Sequence, residues 1–330
     1  MTRSRRGGWR RLGRRRFRYA DARGNPIVDE QELERIRSLA IPPAWQDVWI
    51  SPSPSARLQA TGVDAAGRRQ YLYHEAYRAE RDRAKFESLV RFGELLPAFR
   101  ERAARHLDLG PYEEEWACAI AATLINPGWF RVGSERYTRT SRTYGITTLT
   151  KRHVKVRGQR LSFSYRGKGR VPIRTTLVDE DLADAIRALL RYDGGARLFR
   201  FEREGSPAPL TAALLNAYIA ENLDPAFTAK DFRTWGGTVT AAVALAEHGP
   251  LARGENERRV LAAVMRRVGA ELGNTPAVAR ESYVDPLVIE HWRRGRTLEH
   301  FRPRGERIVS GRDTGLVPEE SALLRLLRST

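Results

Sequence analysis

The apolar period of this chain changes once, near Tyr73. Before that point, short runs alternate apolar and polar residues and are broken by Gly, Pro and Asn; after it, apolar residues recur at three- and four-residue spacing. Alternation stands side chains on opposite faces of a strand, whereas the longer spacing builds a stripe along a helix. "FRYADARGNPIVD" reads as two strands about a Gly24-Asn25-Pro26 turn, and "DEQELERIRSLAI" as a helix carrying Leu33, Ile36 and Leu39. "IPPAWQDVWI" returns to strand, and "ARLQATGVDAAGRRQYLYH" reads as two strands about a glycine-rich turn. Helices are expected over 75–92, 94–108, 112–125, 179–191, 209–221, 229–247, 255–272, 276–282 and 285–293. "RHVKVRGQRLSFSYRGKGRVPI" interrupts them with a β insert. The fold class is therefore α+β: a small N-terminal antiparallel sheet domain with helices, then a larger, mainly α-helical domain with a short β insert. The expected divisions are a basic, disordered tail at 1–16, the sheet domain at 17–80 and the helical domain at 81–330.

Charge narrows the partners. Lys and Arg number 58 against 40 Asp and Glu, giving a net charge of +18. Such an excess is self-repelling and calls for a polyanion, for which double-stranded DNA is the natural candidate. A single cysteine, Cys118, excludes an internal disulfide framework and fits a reducing interior. No apolar run is long enough to span a membrane, and the N-terminus has no signal-peptide core. The expected location is the cytoplasm, at the bacterial nucleoid. No GxxxxGK[ST] loop offers a nucleotide-phosphate cradle, and the six histidines are scattered without metal-ligand spacing. Neither a nucleotide cofactor nor a metal is expected.

What remains is basic residues and tyrosines. Only five of the cations are lysines, and one, Lys168, stands between two glycines in "RGKG". Arginine does not release its proton in a protein, whereas a lysine ammonium can be tuned to do so. Arg131 follows the apolar helix "WACAIAATLINPGWF", Arg233 lies near the start of the helix in "KDFRTWGGT", and "ELGNTPAVARESYVDP" offers Asn274 as an N-cap and Tyr283 near a helix end. Singly, each reads as a surface arginine, a cap or a half-buried ring.

Together, "GRRQYLYH", "FRVGSERY", "RGKG", "KDFRTWGGT" and "LGNTPAVARESYV" occur in an order that resembles the type IB DNA topoisomerases of the poxvirus and bacterial branch. The resemblance implies an enzyme that nicks one strand through a 3′-phosphotyrosyl intermediate, relaxes positive and negative supercoils, and reseals without ATP or an obligatory metal. It also implies a monomer clamped around the duplex. By that resemblance Tyr283 is the nucleophile, Arg131 and Arg233 clamp the phosphoryl oxygens, Lys168 protonates the leaving 5′ oxygen, and Asn274 stands where the family often has histidine. Arg68, Arg69, Gln70, Tyr71, Tyr73, Arg136, Tyr137 and Lys230 are the implied DNA contacts. Alternation puts Tyr71 and Tyr73 on one strand face and Gln70 on the other. Ser134 replaces a basic residue of the poxvirus enzymes. A tyrosine recombinase shares the ordered catalytic set, but usually has histidine where Lys230 stands. A non-enzymatic DNA-binding protein would have no need of that set.

Overall fold

A computed structural model describes residues 7–13, 16–299 and 314–329. The chain divides into two compact units, Met1–Phe86 and Glu87–Thr330, against the division at 80/81 expected from the sequence. The fold is α+β.

The first unit is a five-stranded antiparallel sheet with one helix packed on it. Strands β1 (Trp9–Leu12), β2 (Arg18–Ala20), β3 (Gln46–Ile50), β4 (Leu58–Val63) and β5 (Arg69–Tyr73) are ordered β2-β1-β3-β4-β5. Helix α1 (Glu30–Ser38) is capped by Asp29, whose carboxylate accepts the Glu32 N–H. Its one buried residue, Ile36, joins Val48, Ile50 and Ala60 in a small core. β1 corrects the expected tail. Although its sequence is half arginine, Trp9 packs against that core. Arg11 donates to the carbonyls of Ile41, Pro42 and Trp45, so its charge is taken up by backbone rather than water. Counting charge hid the apolar face. The rest of the tail expectation, at residues 1–6, 14 and 15, lies outside the described residues. The expected hairpin partner after Pro26 is also corrected: it is reduced to one bridge, Ala20 to Pro26, on the outer edge of β2, with the Ile27 N–H donating to the Tyr19 carbonyl at 2.9 Å.

Helix α2 (Glu75–His106) runs unbroken where two helices were expected. Gly93 is a close-packing site rather than a breaker, since a Cβ there would lie 2.5 Å from the Trp235 ring. Phe92, Leu96 and Phe99 bury one side of this helix. α3 (Glu114–Gly128) is almost wholly apolar and lies in the core of the second unit, against α6 (Ala212–Asn222) and α7 (Ala229–His248). α4 (Glu135–Ser141) follows it. The β insert forms β6 (Val154–Arg157), β7 (Arg160–Arg166) and β8 (Pro172–Val178), with α5 (Glu180–Arg191) packed on β6 and β7. A hairpin of β9 (Arg200–Arg203) and β10 (Ser206–Pro209) was not anticipated.

α7 is the hub. It packs against α8 (Glu257–Leu272), α9 (Pro276–Tyr283), α10 (Pro286–Arg293) and α11 (Pro318–Arg328). α11 was also not anticipated. It buries Leu323, Leu324, Leu326 and Leu327, and its Glu320 accepts both Trp235 Nε1–H at 3.0 Å and a fork of Arg100 hydrogen bonds at 2.8 and 2.9 Å. Three elements are thereby tied through one buried carboxylate. Cys118 is buried, and desolvation pushes its thiol up to about 12. Among the described residues no helix is long and apolar enough to cross a membrane.

Candidate active site

The "KDFRTWGGT" segment forms the first turns of α7, and each residue has a separable task. Thr228 caps the helix, with Asp231 reciprocating at the third position. Phe232 and Trp235 enter the core. Glycine at 236 admits the Trp129 ring, which a Cβ would meet at 1.5 Å; at 237 it admits the backbone of Tyr283, whose carbonyl oxygen would lie 2.5 Å from a Cβ. Thr238 then holds that turn, its Oγ1 accepting the Asp285 N–H at 3.1 Å while its one proton is shared between the Thr234 carbonyl at 2.9 Å and the Tyr283 carbonyl at 3.3 Å. The nucleophile candidate is therefore seated by its own backbone against α7.

Arg233, on the same helix, is only 3% exposed. It donates to the Trp129 carbonyl and, at 2.7 Å, to the Leu272 carbonyl. Those carbonyls terminate α3 and α8, where backbone acceptors lack intrahelical partners. The guanidinium carbon lies 5.2 Å from the centre of the Tyr283 ring. Burial, together with the like charge of Arg131, pushes Arg233 down to about 10, which leaves it cationic at neutral pH.

Arg131 arrives from the other direction. α3 ends at Trp129 in the left-handed conformation, and Phe130 is fully buried. Arg131 then donates to the Gly273 carbonyl at 3.2 Å and to Asn274 Oδ1. A guanidinium has only donors. The amide oxygen must therefore face Arg131, and the Asn274 amide nitrogen points elsewhere. The α8–α9 turn that presents Asn274 depends on Gly273 at φ +61, with the Asn274 N–H reaching back to the Gly269 carbonyl at 2.8 Å. The cap of α9 is Thr275, whose hydroxyl accepts the Val278 N–H, and not Asn274 as expected. Moving the cap one residue on leaves the Asn274 side chain to the site.

Tyr283 closes α9 and is 7% exposed. Burial raises its phenol. The opposing charges of Arg233, then Arg131, a hydrogen bond from Arg233, and Lys230 outweigh that, holding it below its ordinary value. Arg131, Arg233, Asn274 and Tyr283 thus converge, and exposed Lys230, in the first turn of α7, is within electrostatic reach. Two buried donors, Arg233 Nε and Asn274 Nδ2, have no acceptor among the described residues. An unpaired buried donor costs about 1–3 kcal/mol. An anionic oxygen accepting from either donor would remove its penalty.

Lys168 is elsewhere in state. It is exposed, at a single 3-10 turn capping the β7–β8 hairpin. The hairpin reaches the site through Ile173, whose side chain fits where Gly167 and Gly273 lack Cβ atoms, at 2.9 and 2.8 Å from where those would stand. Arg136 and Tyr137 are exposed on α4.

The remaining expected contacts lie in the first unit. Tyr71 and Tyr73 are exposed on one face of β5, and their near-parallel rings are 6.2 Å apart, with Tyr77 next at 5.6 Å. They do not serve the core. Arg69 is exposed on the same face. Gln70 faces the other way, donating to Asp64 at 2.8 Å, and Arg68 forms an ion pair with the same carboxylate at 2.6 Å. Among the described residues, no group of three or more His, Cys, Asp or Glu side chains is placed to hold a metal ion.

Comparison with known proteins gives the family. Residues 74–290 match the model of the eukaryotic DNA topoisomerase I catalytic core, and residues 16–64 match that of the bacterial DNA topoisomerase IB N-terminal domain. DNA topoisomerase 1B of Acanthamoeba polyphaga mimivirus is 30% identical over 283 residues, covering 83% of this chain and 84% of its own. The monkeypox DNA topoisomerase I and the vaccinia DNA topoisomerase 1B are each 19% identical over 276 residues, covering 81% of this chain and 84% of theirs. The protein whose Arg131, Arg233 and Asn274 surround Tyr283 in this way belongs to the type IB DNA topoisomerase family.

Proposed function

We propose that this protein relaxes positively and negatively supercoiled duplex DNA by reversible strand transesterification at Tyr283. The observation that carries the reading is the pair of buried donors without an acceptor among the described residues, Arg233 Nε and Asn274 Nδ2, beside a buried phenol held below its ordinary value. The Tyr283 oxygen, its proton lost to solvent, attacks a backbone phosphorus. A P–O bond to tyrosine forms and the P–O5′ bond breaks, leaving a 3′-phosphotyrosyl link and a 5′ hydroxyl. Negative charge gathers on the non-bridging oxygens, where Arg131, Arg233 and Asn274 stabilise it as fixed donors. Lys168 supplies the proton that the 5′ oxygen needs, once the hairpin tip meets DNA. The 5′ hydroxyl attacks back after the free end has rotated.

One ester replaces another, so no ATP is required, and guanidinium charge serves the phosphoryl oxygens without an obligatory metal. The protein acts as a monomer in the bacterial nucleoid, with both units contacting one duplex. Arg136, Tyr137 and Lys230 contact the backbone near the cut, and Arg68, Arg69, Gln70, Tyr71 and Tyr73 contact it from the sheet unit. Gln70 reads a base edge only by giving up Asp64.

The test is relaxation of plasmids of either supercoil sign in EDTA without ATP, followed by denaturant trapping of a protein–DNA adduct. Both should occur, and Tyr283→Phe should abolish both while retaining DNA binding. Residual relaxation by Tyr283→Phe would assign the nucleophile elsewhere.

A further inference from the structure

A second phenol lies within electrostatic reach of the same two arginines. Along β7, Leu161, Phe163 and Tyr165 take the buried side and Ser164 and Arg166 the exposed side. Such an apolar row calls for phenylalanine at 165, which would fill the same space without burying a hydroxyl. The Tyr165 ring lies nearly parallel to Phe130, at 5.9 Å and 14°, and Phe130 precedes Arg131. Across the strand pair Tyr165 stands opposite Ile173, the residue seated on Gly273 beside Asn274. Tyr165 is thus bracketed by the neighbours of Arg131 and Asn274. It is 8% exposed, and among the described residues its hydroxyl makes no hydrogen bond. His153, with its ring 6.3 Å away, is the other titratable group packed on it, and burial pushes that imidazole down to about 4, so it is neutral.

We propose that the Tyr165 hydroxyl is a further hydrogen-bond donor to a non-bridging oxygen of the phosphate held by Arg131, Arg233 and Asn274. This rests on the transesterification reading above. The two phenols differ in a way that suits the division of labour. Burial drives Tyr165 up in spite of Arg233 and Arg131, whereas Tyr283 is held down. Tyr165 therefore keeps its proton where Tyr283 gives it up, and paired groups pushed apart by environment take donor and nucleophile roles. A neutral donor also adds no third positive charge to a buried pair of guanidiniums.

The test is Tyr165→Phe, which keeps the ring on Phe130. Single-turnover cleavage of a suicide duplex should slow about 10- to 100-fold, as expected for one hydrogen bond to a charged oxygen, with DNA affinity and unfolding temperature unchanged. The decisive readout uses phosphate diastereomers with sulfur at either non-bridging position. If Tyr165 donates to one of those oxygens, sulfur there should slow the wild type and have a smaller effect in Tyr165→Phe, while the other diastereomer behaves alike in both proteins. A wild-type cleavage rate for Tyr165→Phe, or a slower rate with both sulfur effects unchanged, overturns the proposal. If Tyr283→Phe is inactive at the same time, only the Tyr165 assignment fails; if Tyr283→Phe still forms adduct, the transesterification reading fails with it.

Discussion

Arg233 and Lys168 belong to the same unit and make an instructive pair. Arg233 is 3% exposed and locked to the ends of α3 and α8 by two carbonyls. Lys168 is exposed on a hairpin tip between glycines, with Gly169 at φ +74. One cation has lost its rotamer freedom before any phosphate arrives; the other still has about 2 kcal/mol of it to lose. On the proposed mechanism the difference would separate two halves of phosphoryl transfer. Stabilising charge on the non-bridging oxygens rewards fixed, desolvated donors, because nothing need reorganise as charge develops. Proton delivery to the 5′ oxygen requires only that the acid arrive when DNA does. On that proposal Lys168 would join the site only when DNA is bound.

The comparison breaks first at Arg233. Arg233→Lys keeps a charge but loses the fork, so it should abandon at least one of the two carbonyls and lower single-turnover cleavage about 10²–10³-fold, with little change in DNA affinity. Cleavage within a few-fold of wild type would mean that the fixed fork is dispensable. A smaller effect is expected in the pH profile. Tyr283 is held below its ordinary value, so phenolate accumulates as pH rises and cleavage should level off below about pH 10, the usual phenol value. In Arg131→Ala one of the opposing charges is gone, the phenol rises, and the profile should move to higher pH. An unmoved midpoint would show that Arg131 does not act on the nucleophile. Smallest is Trp235→Phe, which removes the N–H that Glu320 accepts deep beneath the site. It should lower stability by about 1 kcal/mol, read by denaturant unfolding, and leave the chemical step unchanged.

The fold class and the grouping of four candidate residues were legible in the sequence, whereas several elements around them were not. Arg131, Arg233, Asn274 and Tyr283 were legible because specific residue types recur in order, and the structure brings them together. The glycines of "RTWGGT" lie inside a helix, where glycine needs a packing reason. What they admit, the Trp129 ring and the Tyr283 backbone, is a tertiary fact. β1 was hidden because arginines bonded to distant carbonyls look like solvated charge. α2 was split at Gly93, because the partner of Gly93, Trp235, lies far along the chain. The α9 cap went to Asn274 instead of Thr275 because both suit the position and spacing alone does not choose. Tyr165 was invisible because its alternation is that of a core residue, and only the neighbourhood of its hydroxyl marks it otherwise.

The most direct measurement of the split between fixed clamp and recruited acid is cleavage of a suicide duplex whose scissile phosphate carries sulfur in place of the bridging 5′ oxygen. A thiolate leaves with little proton assistance. On the ordinary substrate Lys168→Ala and Lys168→Arg should both be slowed about 10²–10⁴-fold. On the sulfur substrate Lys168→Ala should return close to the wild-type rate, while Arg233→Lys remains slow because its defect lies at the non-bridging oxygens. Equal rescue of Lys168→Ala and Arg233→Lys, or rescue of neither, would contradict the division.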